Sequence, residues 1–84
     1  MNTTKKTTKA RVVYLAYTTG GRFNFRPELM KVYAKSSYQT AYNWLADIAE
    51  RHGSKVTPGD GNRAAQTHNQ NATQIWWLER HEVA

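Results

Sequence analysis

The chain has 84 residues, no cysteine and a net charge of +6. This length allows one small domain with a single modest core, and the lack of cysteine excludes disulfides and thiolate metal sites. The N-terminal segment MNTTKKTTKA is polar and basic with no apolar run after it, so we expect neither a signal peptide nor a membrane anchor.

Positive charge is concentrated in the first half of the chain. Residues 1–35 carry eight Lys or Arg against one acid, whereas residues 36–84 carry four bases against five acids. Such a distribution favours nucleic acid or an acidic protein surface as partner. A solubilising tail is the simpler explanation, but half of the early cations lie beyond residue 11. We predict a flexible basic arm over residues 1–10 and a single domain over residues 11–84.

The segment RVVYLAYTTGGRFNFR predicts a β-hairpin with strands over residues 11–18 and 22–26. A three-residue loop unites the apolar side chains on one face, whereas a two-residue turn at the Gly-Gly pair would put them on opposite faces. The pairs in the favoured register are Tyr17–Phe23 and Leu15–Phe25.

The outward face of this predicted hairpin is basic and partly aromatic. Its members are Tyr14, Ala16, Thr18, Arg22, Asn24 and Arg26. A face of this kind suits phosphate and bases or an acidic partner, although an ordinary solvated sheet face has the same composition.

SSYQTAYNWLADIAERHG predicts one amphipathic helix over residues 37–52. Ser36 and Gln39 have the spacing of a capping box, and Gly53 supplies the C-terminal stop. The apolar stripe of the helix is Ala41, Leu45, Ile48, Ala49 and His52. We expect a shared core that contains Leu15, Phe23, Phe25, Leu45 and Ile48.

Two folds compete for the segment before the helix. TAYNWL resembles the second helix of bacterial helix-turn-helix domains, and PELMKVYAK would then be the first helix of a winged helix-turn-helix. That alignment puts Lys31, Lys35 and Ser36 at packing positions where small or apolar residues are expected. We therefore favour a small α+β domain of order ββαββ, an antiparallel sheet with the helix packed on one face. SKVTP and TQIWWLERHEV are its last two strands.

The segment between those last strands is polar and lacks an apolar period, so we predict a mobile loop over residues 59–72. Arg63 in this loop is a candidate contact residue. Trp76 and Trp77, which are adjacent in the last strand, must point to opposite faces. One enters the core; the other is exposed as a binding hot spot or covered by the arm, a partner or a second copy in a homodimer.

No motif for catalysis or for a cofactor is present. The three histidines are scattered and no HExxH spacing occurs, so we expect no metal site and no enzyme activity.

The hairpin followed by VYAKSSYQTAYNWLA and a returning strand resembles small bacteriophage proteins that inhibit host RNA polymerase or act as anti-CRISPR proteins. The resemblance implies a non-enzymatic inhibitor or adaptor in the cytoplasm of a bacterial host, docked on a complex that acts on nucleic acid. The alternative is a DNA- or RNA-binding regulator. The candidate partner-binding residues are Lys9, Arg11, Tyr14, Arg22, Asn24, Arg26, Arg63 and Trp76.

Overall fold

A five-stranded antiparallel sheet carries one α-helix on one side. The computed structural model describes residues 11–21 and 25–83. The elements are β1 (Arg11–Gly20), β2 (Glu28–Ala34), a 3-10 turn (Lys35–Ser37), α1 (Tyr38–Arg51), β3 (Lys55–Pro58), β4 (Arg63–His68) and β5 (Gln74–Val83). The strand order is β2-β1-β5-β4-β3. The predicted α+β class is confirmed, with one strand more than the predicted ββαββ order.

The longest pairing in the sheet joins the two ten-residue strands β1 and β5. Their antiparallel register runs without interruption from Arg11 opposite Val83 to Gly20 opposite Gln74. The first strand of the domain is therefore held by the last one, and both lie inside the sheet with a neighbour on each side.

The Gly-Gly pair does not form the predicted tight turn. Gly20 has φ 94°, and a Cβ at this position would lie 2.1 Å from the carbonyl oxygen of Thr73. The Gly21 amide donates to the same oxygen at 2.8 Å. The two glycines allow the backbone to pass close to the start of β5, so β1 continues to residue 20 instead of turning back.

The return strand is β2, which starts at Glu28, so the predicted hairpin register is wrong. Leu15 lies opposite Val32, where the prediction paired it with Phe25. Phe25 precedes β2 in a turn and is 97% exposed, so it is not a core residue. The other predicted partner, Phe23, lies outside the described residues.

The helix is close to the prediction, and Gly53 ends it. Gly53 has φ 67°, its amide donates to the Glu50 carbonyl at 3.3 Å, and the Ser54 amide donates to the Ala49 carbonyl at 2.8 Å. These two bonds form a Schellman motif, which satisfies carbonyls that the helix end leaves unpaired. The predicted capping box is absent: the N-cap residue is Ser37, without a side-chain cap.

The predicted mobile loop contains strand β4. Its backbone pairs with β3 and β5, and the Thr67 hydroxyl accepts a hydrogen bond from the Trp76 amide at 3.1 Å. Ala65 and Thr67 are buried on the side of the sheet that faces the helix. Small and polar residues form this strand because its neighbours supply the apolar bulk, which is why its sequence lacks an apolar period.

The core lies between α1 and the sheet. The buried members are Ala16, Ala41, Leu45, Ile48, Ala65, Trp76 and Leu78. Leu45 and Ile48 are core residues as predicted. Residues 28–34 are a strand and α1 is the only α-helix of the described residues, so the winged helix-turn-helix alternative is wrong.

Replacing Leu45 by alanine should lower the free energy of unfolding by about 2–5 kcal/mol, because the side chain is fully buried and its loss leaves a cavity. Leu29→Ala is the matched control; Leu29 is 46% exposed, and its truncation should cost less than about 1 kcal/mol. Urea unfolding of both variants measures the difference. Equal losses would mean that α1 does not cover the core through Leu45.

Candidate docking surface

The side of the sheet that faces away from α1 also carries apolar side chains. In β1, Ala16 and Thr18 are fully buried on the helix side, so the alternating residues Leu15 and Tyr17 point to the opposite side. They are only half-buried, and their neighbours on β2 are Val32 and Leu29. We call this side the open face; its apolar members are Val13, Leu15, Tyr17, Leu29, Val32, Ile75 and Trp77.

This arrangement inverts the prediction for β1. Tyr14, Ala16 and Thr18 were expected to face outward, and Leu15 was expected to enter the core, with Tyr17 on the same face of the strand. The cause is the pairing with β5, which sets Ala16 beside Leu78 and Thr18 beside Trp76 under the helix. The small side chains of Ala16 and Thr18 leave room there for α1, whereas the larger Leu15 and Tyr17 point to the open face.

Trp77 is the centre of the open face and is only 1% exposed. The Tyr17 ring lies alongside it, with centroids 5.6 Å apart and an interplanar angle of 20°. The Arg63 guanidinium lies over the indole, with Cζ 4.0 Å from the ring centroid. The indole Nε1–H donates to Glu79 Oε2 at 2.7 Å. Trp77 is therefore a fixed anchor of the surface, and its ring is not available to a stacked base.

Glu79 links the tryptophan to a histidine. His81 Nε2 lies 2.7 Å from Glu79 Oε1 and donates to it in the tautomer that carries its proton on Nε2. Burial alone would raise the pKa of Glu79, but the hydrogen bonds from Trp77 and His81, with the charges of His81 and Arg63, outweigh burial and lower it. The carboxylate therefore stays ionised and holds the two rings in place.

An apolar groove lies at one end of the open face. Its volume is about 760 Å³, and it is lined by Arg11, Val12, Val13, Val32, Ala34, Lys35 and Ser36. Val13 and Val32 belong to both the groove and the open face, so the two form one continuous surface. Two cations, Arg11 and Lys35, lie at the groove, and both are exposed.

The structure brings few of the predicted binding residues together. Tyr14 is on the helix side, where its ring packs on Tyr38 with centroids 4.6 Å apart. Trp76 is 6% exposed and belongs to the core under α1. It is not the exposed hot spot that was predicted, because the strand pairing buries both tryptophans, one on each face.

The remaining predicted residues lie on the open face, in the bend before β2, or outside the described residues. Arg11 lies at the groove and Arg63 covers Trp77, whereas Arg26 is exposed in the bend before β2. Lys9, Arg22 and Asn24 lie outside the described residues.

The sequence did not predict that Tyr17, Trp77, Glu79 and His81 form one cluster. The spacing of Trp77, Glu79 and His81 in alternate positions of one strand is the signal that could have found it.

Comparison with protein-family models, with curated proteins and with solved structures finds no match to this chain. Within residues 11–21 and 25–83, no group of three or more His, Asp or Glu side chains could hold a metal ion. In the same part of the chain, no helix is long and apolar enough to cross a membrane.

Replacing Glu79 by glutamine should destabilise the protein by an amount on the order of 1 kcal/mol at neutral pH, because a charge-assisted hydrogen bond is lost. The pKa of Glu79 is lowered from its ordinary value of 4.5 in the folded state, so its contribution is present above pH 4.5 and is lost as the pH falls. The difference in unfolding free energy between wild type and Glu79→Gln should shrink accordingly.

Urea unfolding at a series of pH values between 7 and 3 measures this effect. Glu82→Gln is the control, since the Glu82–Arg80 pair is an exposed ion pair of small expected worth. A Glu79→Gln difference that is the same at every pH would contradict the assigned role of the carboxylate.

Proposed function

We propose that this chain is a non-enzymatic binding protein that docks on an acidic partner protein through the open face. The observation that carries the proposal is that both faces of the sheet carry apolar side chains, whereas a helix covers only one of them. An antiparallel sheet with one solvated face normally alternates apolar and polar residues. Here Leu29 is 46% and Val32 is 59% exposed on the side without a helix, and contiguous exposed apolar surface marks interaction sites.

A protein partner fits the open face better than a nucleic acid does. Single-stranded nucleic acid stacks its bases on exposed aromatic rings, but Trp76 and Trp77 are 6% and 1% exposed. Several cations are also engaged within the fold: Arg63 lies on Trp77, Arg51 pairs with Asp47, and Arg80 pairs with Glu82. A regulator of helix-turn-helix type would also need a first helix where β2 lies.

A different protein is favoured over a second copy of this chain. In a two-fold dimer the same patch meets itself, so the cations at the groove end, Arg11 and Lys35, would be brought into a contact between two chains that each carry +6. Like charges across an interface are unfavourable, whereas an acidic partner would be attracted.

The partner class follows from this charge. We place the partner in the cytoplasm of a bacterial host, as a protein or ribonucleoprotein complex that acts on nucleic acid, with this chain as its inhibitor or adaptor. The support is the positive field of the first 35 residues and a strand–helix layout that resembles the one expected of small phage inhibitors of the RNA polymerase and anti-CRISPR types. Acidic DNA mimicry is not the mode of action that such a charge supports.

The test is affinity capture from nuclease-treated bacterial lysate with wild type, Leu29→Asp and Thr40→Asp. Leu29 is on the open face, outside the groove, and Thr40 is exposed in the first turn of α1 on the other side of the sheet. Both variants gain one carboxylate at an exposed position. We expect wild type and Thr40→Asp to retain the same protein, and Leu29→Asp to lose it by a factor of about 30 or more, the size of a hot-spot effect.

Thermal unfolding of each variant shows that it is folded before capture. Retention that is seen only when the nuclease is omitted, or that survives Leu29→Asp unchanged, would overturn the proposal. Tight binding of the purified protein to short oligonucleotides at physiological salt would assign the function to nucleic acid instead.

A further inference from the structure

The groove at the end of the open face has an apolar floor and one positive end. Val13 and Val32 come from neighbouring strands, and Ala34 lies opposite Val13. Arg11 precedes this floor in β1 and Lys35 follows it directly after β2; because the two strands are antiparallel, both cations lie at the same end of the floor. An occupant would therefore place apolar groups on the valines and polar or charged groups at the end where the two cations lie.

The charge around the groove has one sign. None of its seven lining residues is acidic, and two of them, Arg11 and Lys35, are cationic. The acid nearest in register is Glu82, opposite Val12, and its carboxylate is paired with Arg80 at 3.3 Å. In the described chain, neither Arg11 nor Lys35 forms an ion pair, so both guanidinium and ammonium groups can receive a ligand carboxylate.

We propose that this groove holds a segment of the partner protein in which apolar side chains are followed at one end by Asp or Glu. The apolar side chains would contact Val13 and Val32, and the carboxylates would pair with Arg11 and Lys35. Because the groove shares the two valines with the open face, its occupant would be continuous with a partner docked there. The inference rests on the proposed function and names the chemistry of the partner.

The other occupants fit the charge less well. The chain's own residues 1–10 carry three lysines and no acid, so they would add positive charge to a positive groove. A second copy would meet the groove with a surface of the same sign. A partner segment with negative charge is attracted from a distance and is also held by the two cations at one end.

Three short peptides test this chemistry by NMR titration of the ¹⁵N-labelled protein. The first repeats Leu-Glu, the second repeats Leu-Lys, and the third repeats Ser-Glu, each flanked by glycine and blocked at both ends. We expect only the Leu-Glu peptide to bind, with amide shifts concentrated at Val13, Val32 and Lys35. Equal binding of Ser-Glu would mean a purely electrostatic contact, and equal binding of Leu-Lys a purely apolar one; either would overturn the proposal.

Arg11→Gln and Lys35→Gln should each weaken the Leu-Glu peptide about two- to fivefold, the range of an exposed ion pair. Lys55→Gln is the matched control, because Lys55 is an exposed cation on β3, the opposite edge of the sheet. The effect should diminish at high salt. An equal loss in Lys55→Gln would reduce the binding to net charge and would contradict a site at the groove.

The peptide titration and the capture experiment can fail independently of each other. If Leu29→Asp abolishes capture but no peptide binds the groove, the open face docks a partner and the groove proposal is wrong. If the Leu-Glu peptide binds the groove but wild type retains no protein, the groove chemistry stands and the proposed function fails.

Discussion

The antiparallel pairing of β1 with β5 determines both faces of the domain. These strands are separated by more than fifty residues, yet all ten residues of each are in register. That register puts Ala16 beside Leu78 and Thr18 beside Trp76 on one side. Because side chains alternate along a strand, it also puts Tyr17 beside Trp77 on the other. A slip of one residue would exchange the two sides, so the core and the open face depend on the same ladder.

The two sides are built from different chemistry. On the helix side, the small residues Ala16 and Ala65 and the large residues Trp76 and Leu78 form one core with Leu45, Ile48 and Ala41 of α1. On the open face, Trp77 is shielded by Tyr17 and Arg63 and is tied to Glu79. The fold thus protects its largest open-face ring within its own chain and leaves aliphatic side chains exposed around it. Such an aliphatic surface beside a cationic groove suits a protein with acidic and apolar side chains.

The parts of the fold that depend on local sequence could be predicted. The spacing of Leu45 and Ile48 specifies the buried stripe of α1. Gly53 ends the helix at the expected place because this position needs the left-handed backbone conformation, which glycine adopts readily. The register of β1 could not be predicted, since it is decided by β5 at the far end of the chain. Strand β4 was missed because Ala65 and Thr67 are buried without being strongly apolar. The open-face cluster was missed because only the pairing of β1 with β5 brings Tyr17 beside Trp77.

The central claim is that the open face is uncovered in the isolated protein. Paramagnetic relaxation of methyl signals by a soluble gadolinium chelate measures it directly. The account predicts strong enhancement at Leu29 and Val32, intermediate enhancement at Leu15, and little at Leu45 and Ile48, at every protein concentration. Protection of Leu29 and Val32 equal to that of Leu45 at all dilutions would contradict it, because the chain would then cover this face itself; protection that appears only at high concentration would identify a second copy as the cover.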